Sequence, residues 1–224
     1  MITGVLTFSD ALKLVKLRAE WMESLLGHGY GMGVIEGISE KNIRAMVDAA
    51  YIRGEEAYIS SINSADQITI SGKIEHIHNL FSEARGAGAR RAQLIKVPVP
   101  SHCSLLANIS IRLQEAMSHI PLGEPQFPYV ANTNARLLRD AASICHDLAQ
   151  GVSHPVRWYP STIHLYERGV RLFVEMPPGQ VLTNLVRADF KLARAVAMQE
   201  TSIQSVLHLI HSKKRIYDQS NNTP

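Results

Sequence analysis

Arg18 and His102 are the two residues whose setting most suggests chemistry. Spacing predicts a helix over residues 7–26. Thr7 or Ser9 can cap it, Asp10 suits its first turn, and Lys13, Lys16, Glu20 and Glu23 recur on one wet face. Leu14, Trp21, Met22 and Leu25 mark the opposite face, and Arg18 falls on that apolar side. A guanidinium cannot shed its charge there, so it needs an anion or a rich set of acceptors. One reading is a clamp that grips a carboxylate through two parallel hydrogen bonds; the other is a buried structural ion pair. His102 follows Ser101, a candidate N-cap, and is expected to open a helix over His102–Met117 with Leu105, Leu106, Ile109 and Leu113 on one face. The positive end of a helix disfavours imidazolium and leaves a neutral ring able to take a proton. A histidine at a helix start can also be purely structural, and position alone leaves both readings open.

Other candidates are weaker. The turn Met176–Gln180 lies between a predicted strand and a predicted helix and could offer backbone N–H groups to an anion, but plain turn chemistry explains it as well. His76 and His78, and His208 and His211, have no convincing cysteine or carboxylate set around them, so no metal site is expected. Cys103 adjoins His102, yet neighbours on a helix point about 100° apart, which suits a single proton transfer poorly. Arg90, Arg91, Lys96, Lys213, Lys214 and Arg215 read as solvated charges that could also meet an acidic partner.

These residues need a scaffold, and 224 residues with 46% apolar, 19% charged and 6% aromatic side chains can build one. That composition excludes disorder, collagen and coiled coil. A net charge of +3 is too small and too scattered to argue for nucleic acid. Cys103 and Cys145 cannot make a disulfide framework, so the chain reads as cytoplasmic. No apolar run is long enough to span a membrane, and MITGVLTFSD lacks the regions of a signal peptide.

Glycines cluster at Gly27, Gly29, Gly31 and Gly33, and a compact pattern follows. Strands are predicted near Gly31–Gly37, Tyr58–Ile62, Gln67–Ser71 and Ala92–Val97, with helices at Glu40–Ala50 and Ile74–Arg85. The order β-α-β-β-α-β is the ferredoxin-like one. Pro98 and Pro100 stop the last strand. A short apolar run at Phe127–Ala131 and a helix at Asp140–Gln150 come next, then a helical stretch at Thr162–Arg168 and a buried strand at Arg171–Glu175. A helix at Gln180–Arg187, a strand at Ala193–Ala197 and a helix at Ser202–Lys213 follow, with a polar tail after them. Strand-turn-helix units at this end suggest a parallel α/β layer.

Three stretches together resemble one family: Gly4–Arg18 (GVLTFSDALKLVKLR), Val97–Cys103 (VPVPSHC) and Glu175–Thr183 (EMPPGQVLT). They look like malonyl-CoA:acyl carrier protein transacylases. His154–Trp158 (HPVRW) and Glu175–Gly179 (EMPPG) look closer to the malonyltransferase (epsilon) subunit of malonate decarboxylase. The resemblance runs from about Gly4 to Met198. It implies a partial α/β-hydrolase-like acyltransferase core, residues 1–29 and 98–216, with a ferredoxin-like subdomain inserted at 30–97 and a flexible tail at 217–224. It implies that His102 is the base that takes the proton of a serine, and that Arg18 holds the malonyl carboxylate. Gly151 stands where the family has a glutamine whose backbone carbonyl orients the histidine. Malonyl-CoA is then the substrate, no cofactor is bound, and the acceptor is a phosphopantetheine-type thiol on an acyl carrier protein.

The family's G-x-S-x-G nucleophile elbow is absent from the sequence, and so is the loop that supplies part of the oxyanion hole. The resemblance would place that serine upstream of Gly4. The expectation is a truncated reading frame, one half of a split enzyme partnered by a separate N-terminal fragment, or a relic inactive alone. The competing expectation is a noncatalytic fragment that docks an acyl carrier protein or acts as a scaffold. An RNA-binding ferredoxin-like module is disfavoured, because the predicted strands lack the aromatic pairs that stack bases.

Overall fold

The computed structural model describes residues 1–25, 29–97 and 99–220. Leu26, Gly27, Pro98 and residues 221–224 of the expected tail lie outside the described residues, as do the side chains of Lys213, Lys214 and Arg215. The chain divides into two compact units, Met1–Ser161 and Thr162–Pro224.

The first unit opens with α1 (Phe8–Leu25), whose Asp10 accepts from Thr7 Oγ1 at 2.6 Å, close to the expected start. Then come β1 (Tyr30–Glu36), α2 (Glu40–Ile52), β2 (Ala57–Ile62), β3 (Gln67–Lys73), α3 (Ile74–Gly86) and β4 (Arg91–Ile95). These four strands form one antiparallel sheet in the order β2-β3-β1-β4, the ferredoxin-like arrangement read from the sequence. Strand alternation sends Ile35, Ile59, Ile68 and Ile70 to one core with Ile43 of α2 and Ile77, Leu80 and Phe81 of α3. Phe81 is fully buried and lies so close to Gly33 that a Cβ there would overlap its ring, so this crossing of α3 over β1 requires glycine.

A second core in this unit joins three helices. A 3-10 turn at Ser104–Leu106 leads into α4 (Ala107–Ser118). The two-residue strands β5 (Tyr129–Val130) and β6 (Leu137–Leu138) make a small hairpin, and α5 (Ala141–Gln150) follows. Asp140 caps α5, accepting from Ser143 N at 2.7 Å. Leu14 and Met22 of α1 pack with Ile109, Leu113 and Met117 of α4 and Ile144 and Ala149 of α5.

The expected helix His102–Met117 begins later than the sequence suggested. Ser101 does not cap it. His102 has φ of 59°, the left-handed region that non-glycine residues rarely adopt, so the regular helix starts only at Ala107.

Helix α6 (Trp158–Glu167) precedes β7 (Leu172–Glu175), α7 (Val181–Asp189), β8 (Arg194–Ala197) and α8 (Ile203–Ser220). β7 and β8 pair in parallel with α7 between them, the expected strand-helix-strand unit. Two details differ from the sequence reading. All four residues of β7 are half-buried rather than buried, and α8 runs on to Ser220 instead of stopping at Lys213. No described helix is long and apolar enough to cross a membrane.

Candidate active site

His102 is gripped from two sides. The Oγ atoms of Ser60 and Ser71, on β2 and β3, both donate to the Ser101 carbonyl, at 2.8 and 2.7 Å. The ferredoxin-like sheet thereby fixes the backbone one residue before the imidazole. On the other side, His102 Nδ1 lies 2.5 Å from the carbonyl oxygen of Gly151, the residue that ends α5. A carbonyl can only accept, so Nδ1 carries the proton and Nε2 keeps a free lone pair. Gly151 therefore stands against His102 through its backbone carbonyl.

Burial pushes the His102 pKa down, the hydrogen bond to the Gly151 carbonyl opposes it, and the positive charge of Arg18 adds a smaller downward push. The net shift is downward, so the ring stays neutral at physiological pH. The sequence suggests a helix N-terminus as the cause of neutrality; in the structure desolvation is the main cause, with the Arg18 guanidinium a lesser one.

Arg18 projects from α1 beside a largely apolar groove of about 490 Å³ whose lining includes Leu14, Val15, Leu113, Tyr129 and Leu148. Its Nε is buried and has no hydrogen-bond partner. The structural ion pair weighed from the sequence is not formed at that atom. A buried donor left unpaired costs about 1–3 kcal/mol, which an arriving anion would recover. Burial also lowers the Arg18 pKa. His102 is not among the residues lining this groove. The two residues are linked through the field that Arg18 exerts on the ring.

Several of the remaining candidates resolve into ordinary structure. Cys103 is buried, and burial pushes its thiol up to about 11, which keeps it protonated and a poor nucleophile at neutral pH. His76 Nδ1 accepts from the Glu56 N–H at 2.8 Å. Arg90 pairs with Asp66 at 2.8 Å and Arg91 with Glu36 at 3.1 Å. In the 176–180 turn, the Glu175 carboxylate accepts from Leu182 N at 3.1 Å and Thr183 N at 2.7 Å, and Gly179 N donates to the side chain of Gln199. The N–H groups of Gly179, Leu182 and Thr183 are thus occupied by the chain's own oxygens.

One residue escaped the sequence reading. Asp147, on the apolar face of α5, is 4% exposed and accepts four hydrogen bonds. The available signal was a carboxylate three residues after Ile144 on the helix stripe that buries Ile144 and Cys145.

Residues 1–212 match the model of the acyl transferase domain. The chain belongs to the acyl transferase family. It is similar to the malonyl CoA-acyl carrier protein transacylase of Salmonella typhimurium, 31% identical over 204 residues that cover 90% of this chain and 65% of that protein. The transacylase of Escherichia coli strain K12 is 31% identical over 201 residues, covering 89% of this chain and 64% of that one. Among solved structures, FabD from Acinetobacter baumannii superimposes with a TM-score of 0.88 at 26% identity, over 94% of this chain and 68% of its own. A malonyl-transacylase in complex with its type II PKS acyl-carrier protein gives a TM-score of 0.83 at 34% identity, over 89% and 65%. The mixed α/β fold is thus that of FabD-type acyltransferases. The chain spans less than two thirds of the length of the two curated relatives named.

Proposed function

We propose that this acyl transferase chain contributes the base and the carboxylate clamp for moving a malonyl group from malonyl-CoA to the thiol of an acyl carrier protein. One observation carries the reading: Arg18 keeps a buried, unpaired Nε beside an apolar groove, while the Gly151 carbonyl takes His102 Nδ1–H and leaves Nε2 as the basic nitrogen. A malonyl group has the carboxylate that such a guanidinium binds and the thioester that a histidine-activated nucleophile attacks. The similarity to malonyl CoA-acyl carrier protein transacylases supports the same substrates.

In this reading a serine hydroxyl attacks the thioester carbonyl and His102 Nε2 takes its proton. The Nδ1–H bond to the Gly151 carbonyl holds the ring in orientation and favours the imidazolium as it forms. Collapse of the tetrahedral intermediate breaks the C–S bond, and His102 returns the proton to the departing CoA thiolate. The carrier thiol then attacks the malonyl-serine ester along the reverse path. The sequence contains no G-x-S-x-G, so the serine of this scheme comes from polypeptide outside residues 1–224, and the chain forms no malonyl ester alone. The carrier thiol sits on phosphopantetheine or on the longer group of a malonate decarboxylase carrier, to which the His154–Trp158 wording leans.

The test needs no turnover. A carboxylate seated on Arg18 cancels the charge that depresses His102. Malonyl-CoA should therefore raise the His102 titration midpoint, read from its ring resonances by NMR. Acetyl-CoA should leave it unchanged, and Arg18→Ala should abolish the difference. Equal responses to the two thioesters would reject the clamp and favour a noncatalytic carrier-docking role.

A further inference from the structure

The carboxylate of Asp147 is the only acidic or basic side chain among the described residues that is almost wholly buried, and it has no cationic partner in any described ion pair. Neutral donors satisfy it instead. Oδ2 accepts from Tyr129 Oη and from the Asn132 N–H, both at 2.9 Å. Oδ1 accepts from the Thr133 N–H at 3.1 Å and from Thr133 Oγ1 at 2.6 Å. Both oxygens are thus filled, and all four donors come from the β5 strand and the loop after it. A buried carboxylate with this many donors is costly to disturb, because removing it strands several N–H and O–H groups at once.

Two further bonds tie this cluster to the imidazole. The backbone carbonyl of Asp147 accepts the Gly151 N–H at 2.8 Å, which sets the last turn of α5. The loop that its side chain grips uses the Asn132 carbonyl to accept the Arg157 N–H, also at 2.8 Å. The segment 151–157 is therefore pinned at its first residue by the Asp147 backbone and at its last by a loop that the Asp147 side chain holds. The Gly151 carbonyl, which accepts the Nδ1–H of the His102 ring, lies at the start of that segment. Beyond it, Val156 exchanges hydrogen bonds with Ser60 and Ile62 of β2, each 2.9 Å, and Ser60 also holds the Ser101 carbonyl. The path from Asp147 to His102 closes from both directions.

We propose that Asp147 is a positioning residue for His102, fixing the Gly151 carbonyl by clamping the 131–133 loop to α5. Its catalytic consequence rests on the proposed role of His102 as base; its structural consequence does not. The groups that bear on the two ends are Tyr129 from β5, which faces the carboxylate, and Arg18 from α1, which acts on the ring.

Asp147→Asn keeps the size of the side chain but replaces acceptor capacity with an NH₂ that must meet N–H and O–H donors. The full chain, labelled at histidine, should show the His102 titration midpoint shifted downward in this variant, because a displaced Gly151 carbonyl no longer favours the imidazolium. Its Nδ1–H tautomer signal should weaken as well. A residue that only stabilised the fold would lower the melting temperature and leave both signals where they were, and that result overturns the proposal. Thr133→Val and Tyr129→Phe each remove one donor and leave the carboxylate in place, so they carry the test if Asp147→Asn does not fold. Each should move the His102 signals in the same direction by less, and no movement in either overturns the proposal. The readout uses no thioester, so a negative result here leaves malonyl recognition standing, and failure of malonyl recognition leaves this linkage standing.

Discussion

Arg18 and His102 oppose each other electrically, and that opposition has a sign that can be measured. Burial, then the Arg18 charge, lower the His102 pKa below its ordinary value of 6.5. The folded chain therefore binds fewer protons at this site than the unfolded one in the pH range just below 6.5. The stability contributed by the neutral ring is present above that value and is lost as pH falls through the folded pKa. Arg18→Gln removes the positive charge and should raise the midpoint, which a ring-resonance titration reads directly; an unchanged midpoint would break the link between the two residues. Cys103, with its thiol pushed up to about 11, should resist alkylation at pH 8 until the chain is unfolded by denaturant, as mass spectrometry of the treated protein would record. Both candidate residues stand out in the sequence, for different reasons. Arg18 was a charge on an apolar helix stripe, which any packing model must explain. His102 stands out by position, but a left-handed φ delays the helix expected to set its charge state, so the electrostatic cause is a different one. Asp147 was not singled out, since two of its donors are backbone N–H groups that every non-proline residue carries.

At the scale of elements, alternation and helical periodicity placed all four strands and both helices of the ferredoxin-like sheet in their order. The local signal was strong because each element buries one clean face. The register that brings Gly33 under Phe81 was not legible, because it depends on how α3 crosses the sheet. Gly33→Ala should lower stability by about 1–3 kcal/mol through overpacking, measurable as a shift in the denaturant midpoint; a neutral result would mean that Phe81 can swing aside. In the second unit, α7 starts on a carboxylate. Burial raises the Glu175 pKa, but hydrogen bonds from Thr183 and Leu182 outweigh it and hold the group below its ordinary value. That stabilisation is present above the ordinary carboxylate range and is lost as pH falls through the depressed value. Glu175→Gln should cost about 1 kcal/mol, the usual worth of an N-terminal cap, and the deficit against wild type should vanish in acid. A deficit that persists undiminished below the titration of Glu175 would show that charge is not the cause.

For the whole molecule, the groove beside Arg18 matters beyond its lining. Val15 and Leu148 remain 62% and 37% exposed at its edge, and Ile111 of α4 is 64% exposed. Apolar surface of this kind recruits other protein or dye. The chain should bind a hydrophobic fluorophore in its folded state, and Val15→Lys with Leu148→Lys should reduce that signal without lowering the melting temperature. The central proposal is chemical: Arg18 is the malonyl clamp and His102 the base, and the serine they serve is not in a G-x-S-x-G among these 224 residues. The most direct test follows radiolabelled malonyl-CoA with carrier protein, using the chain alone and the chain mixed with a serine-bearing fragment of a transacylase relative. The chain alone should carry no malonyl ester. With the fragment present, malonyl should pass to the carrier, and Arg18→Ala should selectively lower that transfer while sparing acetyl. A stable malonyl ester on the isolated chain, or transfer indifferent to Arg18, would contradict the proposal.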